Sequence, residues 1–288
     1  MLAILNSCEF SYGRLQDAYP VSTGDAPMDA NELFQAGKLQ PAIDTQIAQV
    51  KSNPADQGKR LFLFELLAFA GELDRARRQI DALKYDELEL QAATSGYRQL
   101  LDSEEARRKV FHDGAQPKFL TPDQPEHVRL RLEALAHLRA NRRAEAAEAL
   151  DRAAEATPQI TGQLNDRPFD GLRDCDDLFG GVLEVFAQGG YFWVPLEKVD
   201  LIATNPPKFP RDLLWMPARL ETHGGESGQI FLPALYPDSY SHSDDEVRLG
   251  RKTDWLGDDA STLLEWRQLQ TNAPEVEETG SEAMPPQA

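Results

Sequence analysis

A short pattern returns after 34 residues: Leu33, Gly37, Leu39 and Ala42 reappear as Leu67, Gly71, Leu73 and Ala76. A period of that length restricts the first half of the chain to stacked two-helix units, since each unit exposes an apolar face that only its neighbour covers. Glycine permits the left-handed backbone that ends the first helix of a pair. Alanine lets the second helix approach closely, and proline stops it. Pro54 follows Gly37 by 17 residues, and Pro158 follows Asn141 by the same interval. Asn141, Arg143 and Ala146 thus form a third, less faithful copy, 70 residues after the second.

The spacing resembles the tetratricopeptide repeat, whose turn reads Gly-x-aromatic/Leu-x-x-Ala with a proline further on. Residues 59–70 (KRLFLFELLAFA) are apolar almost all round, as suits a helix held between neighbours. Residues 72–84 are amphipathic through Leu73, Ala76, Ile80 and Leu83. Residues 87–113 are helical in pattern, but Gly96 falls out of phase with the repeat, and 126–140 with 143–156 read as the last hairpin. The repeat frame turns Asn31, Phe34, Leu61, Glu65 and Phe69 inward on the first helices, and Arg131 and Arg139 in the last hairpin. These are the expected partner-groove residues. A stack of helical hairpins with no peptide groove is the plainer alternative.

Charge changes near residue 158. Residues 28–158 hold 22 acids and 19 bases, whereas residues 159–288 hold 23 acids and 10 bases. Beyond that point the pattern turns to short apolar or alternating runs punctuated by glycine and proline. Strands are expected at Tyr191–Pro195, Val199–Ala203, Leu213–Leu220 and Gln229–Leu235, after a helix from about Asp177 to Ala187. WVP (193–195) and WMP (215–217) place tryptophan beside a strand-breaking proline, which suits edge strands or bulges. The expected fold is α+β: a tetratricopeptide-like all-α domain over 28–158, then a smaller α+β domain with an antiparallel sheet over 159–270. Residues 1–27 read as a disordered leader with Met28 as the working start. Residues 271–288, with four Glu, three Pro and no base, read as a disordered acidic tail.

The formal charge of −18 disfavours nucleic acid and anionic membranes. No apolar run approaches the roughly 18 residues of a membrane-spanning helix. Two cysteines, Cys8 and Cys175, are too few for a disulfide framework or a structural zinc site and point to a reducing compartment. Asp174, Asp176 and Asp177 could bind a hard cation, but carboxylates at a helix start also cap and complement the dipole. His223-Gly-Gly-Glu226 reads as a hairpin turn, and Ser241-His242-Ser243-Asp244 as a polar loop without a nucleophile elbow. Phosphate-loop, dinucleotide and zinc-protease signatures are all missing. No catalytic residue, metal ligand or cofactor is expected.

A string of second-half motifs completes the reading: Arg167-Pro168-Phe169; Asp174 through Asp177, then Gly181-x-Leu183-Glu184; Gly190-Tyr191-Phe192-Trp193-Val194-Pro195; Arg211-Asp212-Leu213-Leu214-Trp215-Met216-Pro217-Ala218; Leu235-Tyr236-Pro237; and Leu249-x-Arg251-Lys252-Thr253-x-Trp255. With Asn53-Pro54-Ala55-Asp56 and Leu61 through Leu67 in the first half, the chain resembles the ImpE/TagJ (SciE-type) family of type VI secretion accessory proteins over about residues 29–268. The resemblance implies a cytoplasmic, non-enzymatic adaptor that binds the small sheath subunit through that subunit's N-terminal helix. It also implies assistance to sheath assembly and disassembly alongside the AAA+ ATPase, with no catalytic residues to carry over. The alternatives from other classes are a metal-dependent regulatory enzyme using the three aspartates, and a general acidic assembly scaffold.

Overall fold

The computed structural model describes residues 2–6, 28–120, 123–252, 254–255, 263–264 and 269–271. Helices come first: α1 (Ala30–Gln35), α2 (Leu39–Ser52), α3 (Gln57–Phe69), α4 (Leu73–Asp81), α5 (Leu88–Arg108), α6 (Glu126–Arg139) and α7 (Arg143–Ala156). Asp29 and Glu32 close a capping box on α1. The three repeat turns are superposable in their bonding. Gly37, Gly71 and Asn141 all have positive φ, at 73°, 73° and 55°. In each, the next residue donates to a carbonyl five back: Lys38 to Leu33, Glu72 to Leu67 and Arg142 to His137, all at 2.9 Å. This is the Schellman closure, and Asn141 serves because asparagine tolerates the left-handed region. Among the described residues only α5 lacks a partner helix of its own repeat. It runs on into a π turn (Lys109–Asp113) that ends at Gly114.

The rest is built, among the described residues, on an eight-stranded sheet. Its strands are β1 (Leu2–Asn6), β2 (Thr161–Leu164), β3 (Arg167–Asp170), β5 (Val182–Ala187), β6 (Gly190–Pro195), β7 (Val199–Thr204), β8 (Trp215–Thr222) and β9 (Ser227–Pro233), in the order β3-β2-β1-β7-β8-β9-β5-β6. β4 (Leu172–Asp174) pairs with β12 (Leu269–Thr271), β10 (Asp254–Trp255) pairs with β11 (Leu263–Leu264), and α8 spans Asp245–Arg248. The sheet is antiparallel except at β1, which runs parallel to both β2 and β7.

Two expectations change. Residues 177–187 do not form a helix: Val182–Ala187 is strand β5, and Gln188-Gly189, both with positive φ, form the hairpin turn into β6. An apolar run buried on both faces carries no period to tell strand from helix, and the β-branched and aromatic residues decide it. Val182 and Phe186 face the helices, while Leu183 and Val185 face a second apolar cluster. Residues 2–6, taken as part of a disordered leader, instead pair on both sides within the sheet. The remainder of that leader, and residues 272–288 of the acidic tail, lie outside the described residues. The proline rule holds for β6, which is an edge strand, but β8 is interior. There Pro217 pairs with Phe231 of β9 and sits one residue beyond the last β7 pair, Thr204 with Ala218.

One apolar cluster joins the two halves. It runs from Phe34, Phe64 and Phe69 of the helices to Phe186, Trp193, Trp215 and Tyr236 beyond residue 160. Phe64 and Trp215 stand 6.2 Å apart between ring centres. The second cluster fills the other face of the sheet with Phe169, Val185, Val194, Ile202, Leu220 and Ile230.

Candidate partner-binding surface

The inner face of the helical repeats is covered by the chain's own second half. Phe34 and Phe69, expected in a groove, are fully buried and pack at 5.5 Å between ring centres. Glu65 is buried and pairs with Arg211. That guanidinium lies over Tyr97 at 4.7 Å and over Phe209 at 3.9 Å. Burial pushes the Glu65 carboxyl up to about 7, against the opposing pull of Arg211. Asn31 and Leu61 are half-buried on α1 and α3. Arg131 is buried and donates to the carbonyls of His127 and Ala153, while Arg139 donates to Val110 in the π turn. So the structure brings Phe34 and Phe69 together, sets Glu65 against a strand-side arginine, and leaves the two arginines to brace α6.

The occupants of that face were missed. Arg251 donates to the carbonyls of Phe34 and Gln35 at the end of α1, and Asp245 accepts from Leu39 N at the start of α2, at 2.8 Å. A side chain on Gly37 would meet Glu246, and one on Gly71 would meet Tyr240. One signal could have pointed to them. Glu65 is the lone acid in an apolar run, and a buried carboxylate requires a counter-charge.

A second joint is wholly buried. Arg107 of α5 grips Glu184 of β5 through two bonds of 2.8 Å and donates to Leu235 O at 2.9 Å. Tyr191 donates its hydroxyl hydrogen to Glu184, and Trp193 donates to the Tyr191 oxygen. The adjacent carboxylate holds the Arg107 pKa above its ordinary value despite burial. Burial pushes Tyr191 well above the usual phenol range. This network fastens the helices to the sheet.

The carboxylates named as metal ligands are turned to separate tasks. Asp174 is buried, bonded by Tyr236 and by Asp176 N; Asp176 accepts from Leu178 N; Asp177 pairs with Arg173. Among the described residues no group of three His, Cys, Asp or Glu side chains could hold a metal ion. His223 bonds to Asp200 at 2.8 Å, and Glu226 accepts from Thr222 within the β8–β9 hairpin. Ser241 Oγ donates to Asp238 O, and His242 accepts from Asp244 N. Among the described residues no helix is long and apolar enough to cross a membrane.

An open groove does exist, on α2, α3 and α4 alone. It encloses about 350 Å³. Ile47, Val50, Leu63 and Leu67 form its apolar floor, and Lys51, Arg60, Arg75 and Gln79 surround it without a single acid. Arg60 is held in place by Pro54 O at 2.9 Å and Gln79 at 3.3 Å. Arg75 is held by Glu72. In so acidic a chain, a lining whose charged residues are all cations is a local inversion of charge.

The ImpE protein family model matches residues 166–268. The type VI secretion system accessory component TagJ of Pseudomonas aeruginosa is 37% identical over 249 residues, which cover 86% of this chain and 86% of that protein. The crystal structure of protein VPA1032 from Vibrio parahaemolyticus has the same fold, with a TM-score of 0.76 at 23% identity over 85% of this chain and 92% of that one.

Proposed function

The chain belongs to the ImpE/TagJ family, and on that premise we propose that it serves type VI secretion as a non-enzymatic cytoplasmic adaptor, holding an amphipathic helix of the small sheath subunit. The observation that carries the reading is the groove of α2, α3 and α4. Its apolar floor suits anchors at i, i+3, i+4 and i+7 of a docked helix. Its cations suit acidic residues flanking those anchors, which steer the encounter and fix the register. A sheath helix held in this way would be presented to the AAA+ ATPase or withheld from it.

Isothermal titration of the full chain with a synthetic peptide of the cognate small sheath subunit's N-terminal helix tests the proposal. The double variant Lys51→Glu/Arg75→Glu should weaken binding by at least tenfold, about 1.4 kcal/mol, with the circular dichroism spectrum unchanged. Wild-type affinity should fall with added salt, because exposed charges are screened within about 10 Å at 0.1 M. Undiminished affinity in the double variant would move the helix off this groove. Tighter binding of a basic partner by that variant would favour an acidic scaffold instead.

A further inference from the structure

The groove of α2, α3 and α4 holds cations that the structure around it leaves unbalanced. Among the described residues neither Lys51 nor Arg60 has an acid within ion-pair distance, and Arg60 bonds to neutral groups, Pro54 O and Gln79. Arg75 alone is paired, with Glu72, which lies outside the lining. Cations set around an apolar floor attract acidic chain, and an acidic segment tethered to the same molecule meets them first. This chain carries such a segment. Residues 272–288, which lie outside the described residues, contain Glu275, Glu277, Glu278 and Glu282 and no base. Val276 and Met284 are apolar side chains among them that could reach the floor, and Pro274, Pro285 and Pro286 favour an extended course over a helix. The segment starts from Thr271, which β12 holds against Leu172 of β4. Extended, residues 272–288 span up to about 60 Å, against a radius of gyration of about 19 Å for a globular chain of this length.

We propose that residues 275–284 are an intramolecular competitor for this groove, with their glutamates on Lys51, Arg60 and Arg75 and an apolar side chain on the floor. A partner's amphipathic helix then enters only by displacing them, which rests on the groove being the partner site. Each exposed ion pair is weak, so the contact stays reversible. Tethering compensates, because it holds the segment at an effective concentration in the millimolar range. Competition also sharpens selectivity. Acidity alone gains a ligand nothing over the segment already present, so apolar anchors at helical spacing decide which partner enters.

Carbodiimide treatment of the full wild-type chain tests the contact without any partner. It joins an amine to a touching carboxylate as an amide, and the water released passes to the carbodiimide. Peptide mapping should find Lys51 linked to Glu275, Glu277, Glu278 or Glu282 at least fivefold more often than Lys198 or Lys208, which are equally exposed. The helix peptide of the titration above should reduce that link. The full chain carrying Glu275→Gln/Glu277→Gln/Glu278→Gln/Glu282→Gln should bind the same peptide at least threefold more tightly than wild type. Absence of the Lys51 link, a link found only in a cross-linked dimer, or unchanged peptide affinity in the glutamine variant overturns the competitor. If Lys51→Glu/Arg75→Glu still loses the peptide in that case, the groove keeps its partner. A link that persists undiminished under saturating peptide places the partner elsewhere, and overturns both the groove as partner site and the competition for it.

Discussion

Glu65 and Glu184 are both buried carboxylates, yet their surroundings differ in kind. Glu184 receives two N–H groups from Arg107 and the hydroxyl of Tyr191. Removing one partner of such a pair leaves a buried charge unmatched and costs about 3–5 kcal/mol, whereas replacing both by apolar side chains can be nearly neutral. Urea unfolding should therefore show Arg107→Met far less stable than wild type, and Arg107→Met/Glu184→Leu closer to it. Glu65 has one counter-ion, and its carboxyl titrates near 7 rather than 4.5. Between those values the folded protein holds a proton that the unfolded chain has released, so stability falls as pH rises through that window. The loss reaches up to about 3 kcal/mol and levels off above pH 7. Glu65→Gln should flatten this part of the urea midpoint against pH; an unchanged slope would assign it to other groups. The need for a partner to Glu65 was legible in its apolar setting. That the partner is Arg211, 146 residues away, was not, because nothing local links them.

The repeat turns show what local chemistry can specify at the level of elements. Their period, their left-handed residue and the helices on each side follow from side chains within one turn, and they were readable on that basis. A Cβ on Gly71 would stand 2.2 Å from Cδ2 of Tyr240, besides forcing a non-glycine residue to φ +73°. Gly71→Ala should thus cost at least the roughly 1–2 kcal/mol of the left-handed conformation, while Asn141→Gly should be close to neutral. Differential scanning fluorimetry on the two variants checks the contrast, and equal melting temperatures would contradict it. Strands were readable where one face alternates, as over Ala218–Thr222 of β8, and not at β5, which is buried on both faces. Strand order was beyond reach of any local pattern, since β1 finds both its partners in the second half of the chain. The groove of α2, α3 and α4 was missed for a related reason: the repeat frame points attention to the inner face, which this chain fills itself.

At the level of the whole molecule, the cluster that runs from Phe34 to Tyr236 belongs to both halves, so parting them would expose its aromatic side chains. Scanning calorimetry of the full chain should give one transition, with calorimetric and van't Hoff enthalpies in agreement. Two resolved transitions would show that the halves unfold independently. The same shared core has a consequence for the chain while it is being made. Phe69 leaves the ribosome roughly 150 residues before Trp215 and Tyr236, the side chains that help to cover it. At about 5–20 residues per second that interval lasts on the order of ten to thirty seconds. For all of it the repeats present an aromatic face to the cell, so the nascent chain is a natural client of chaperones that the finished protein no longer needs.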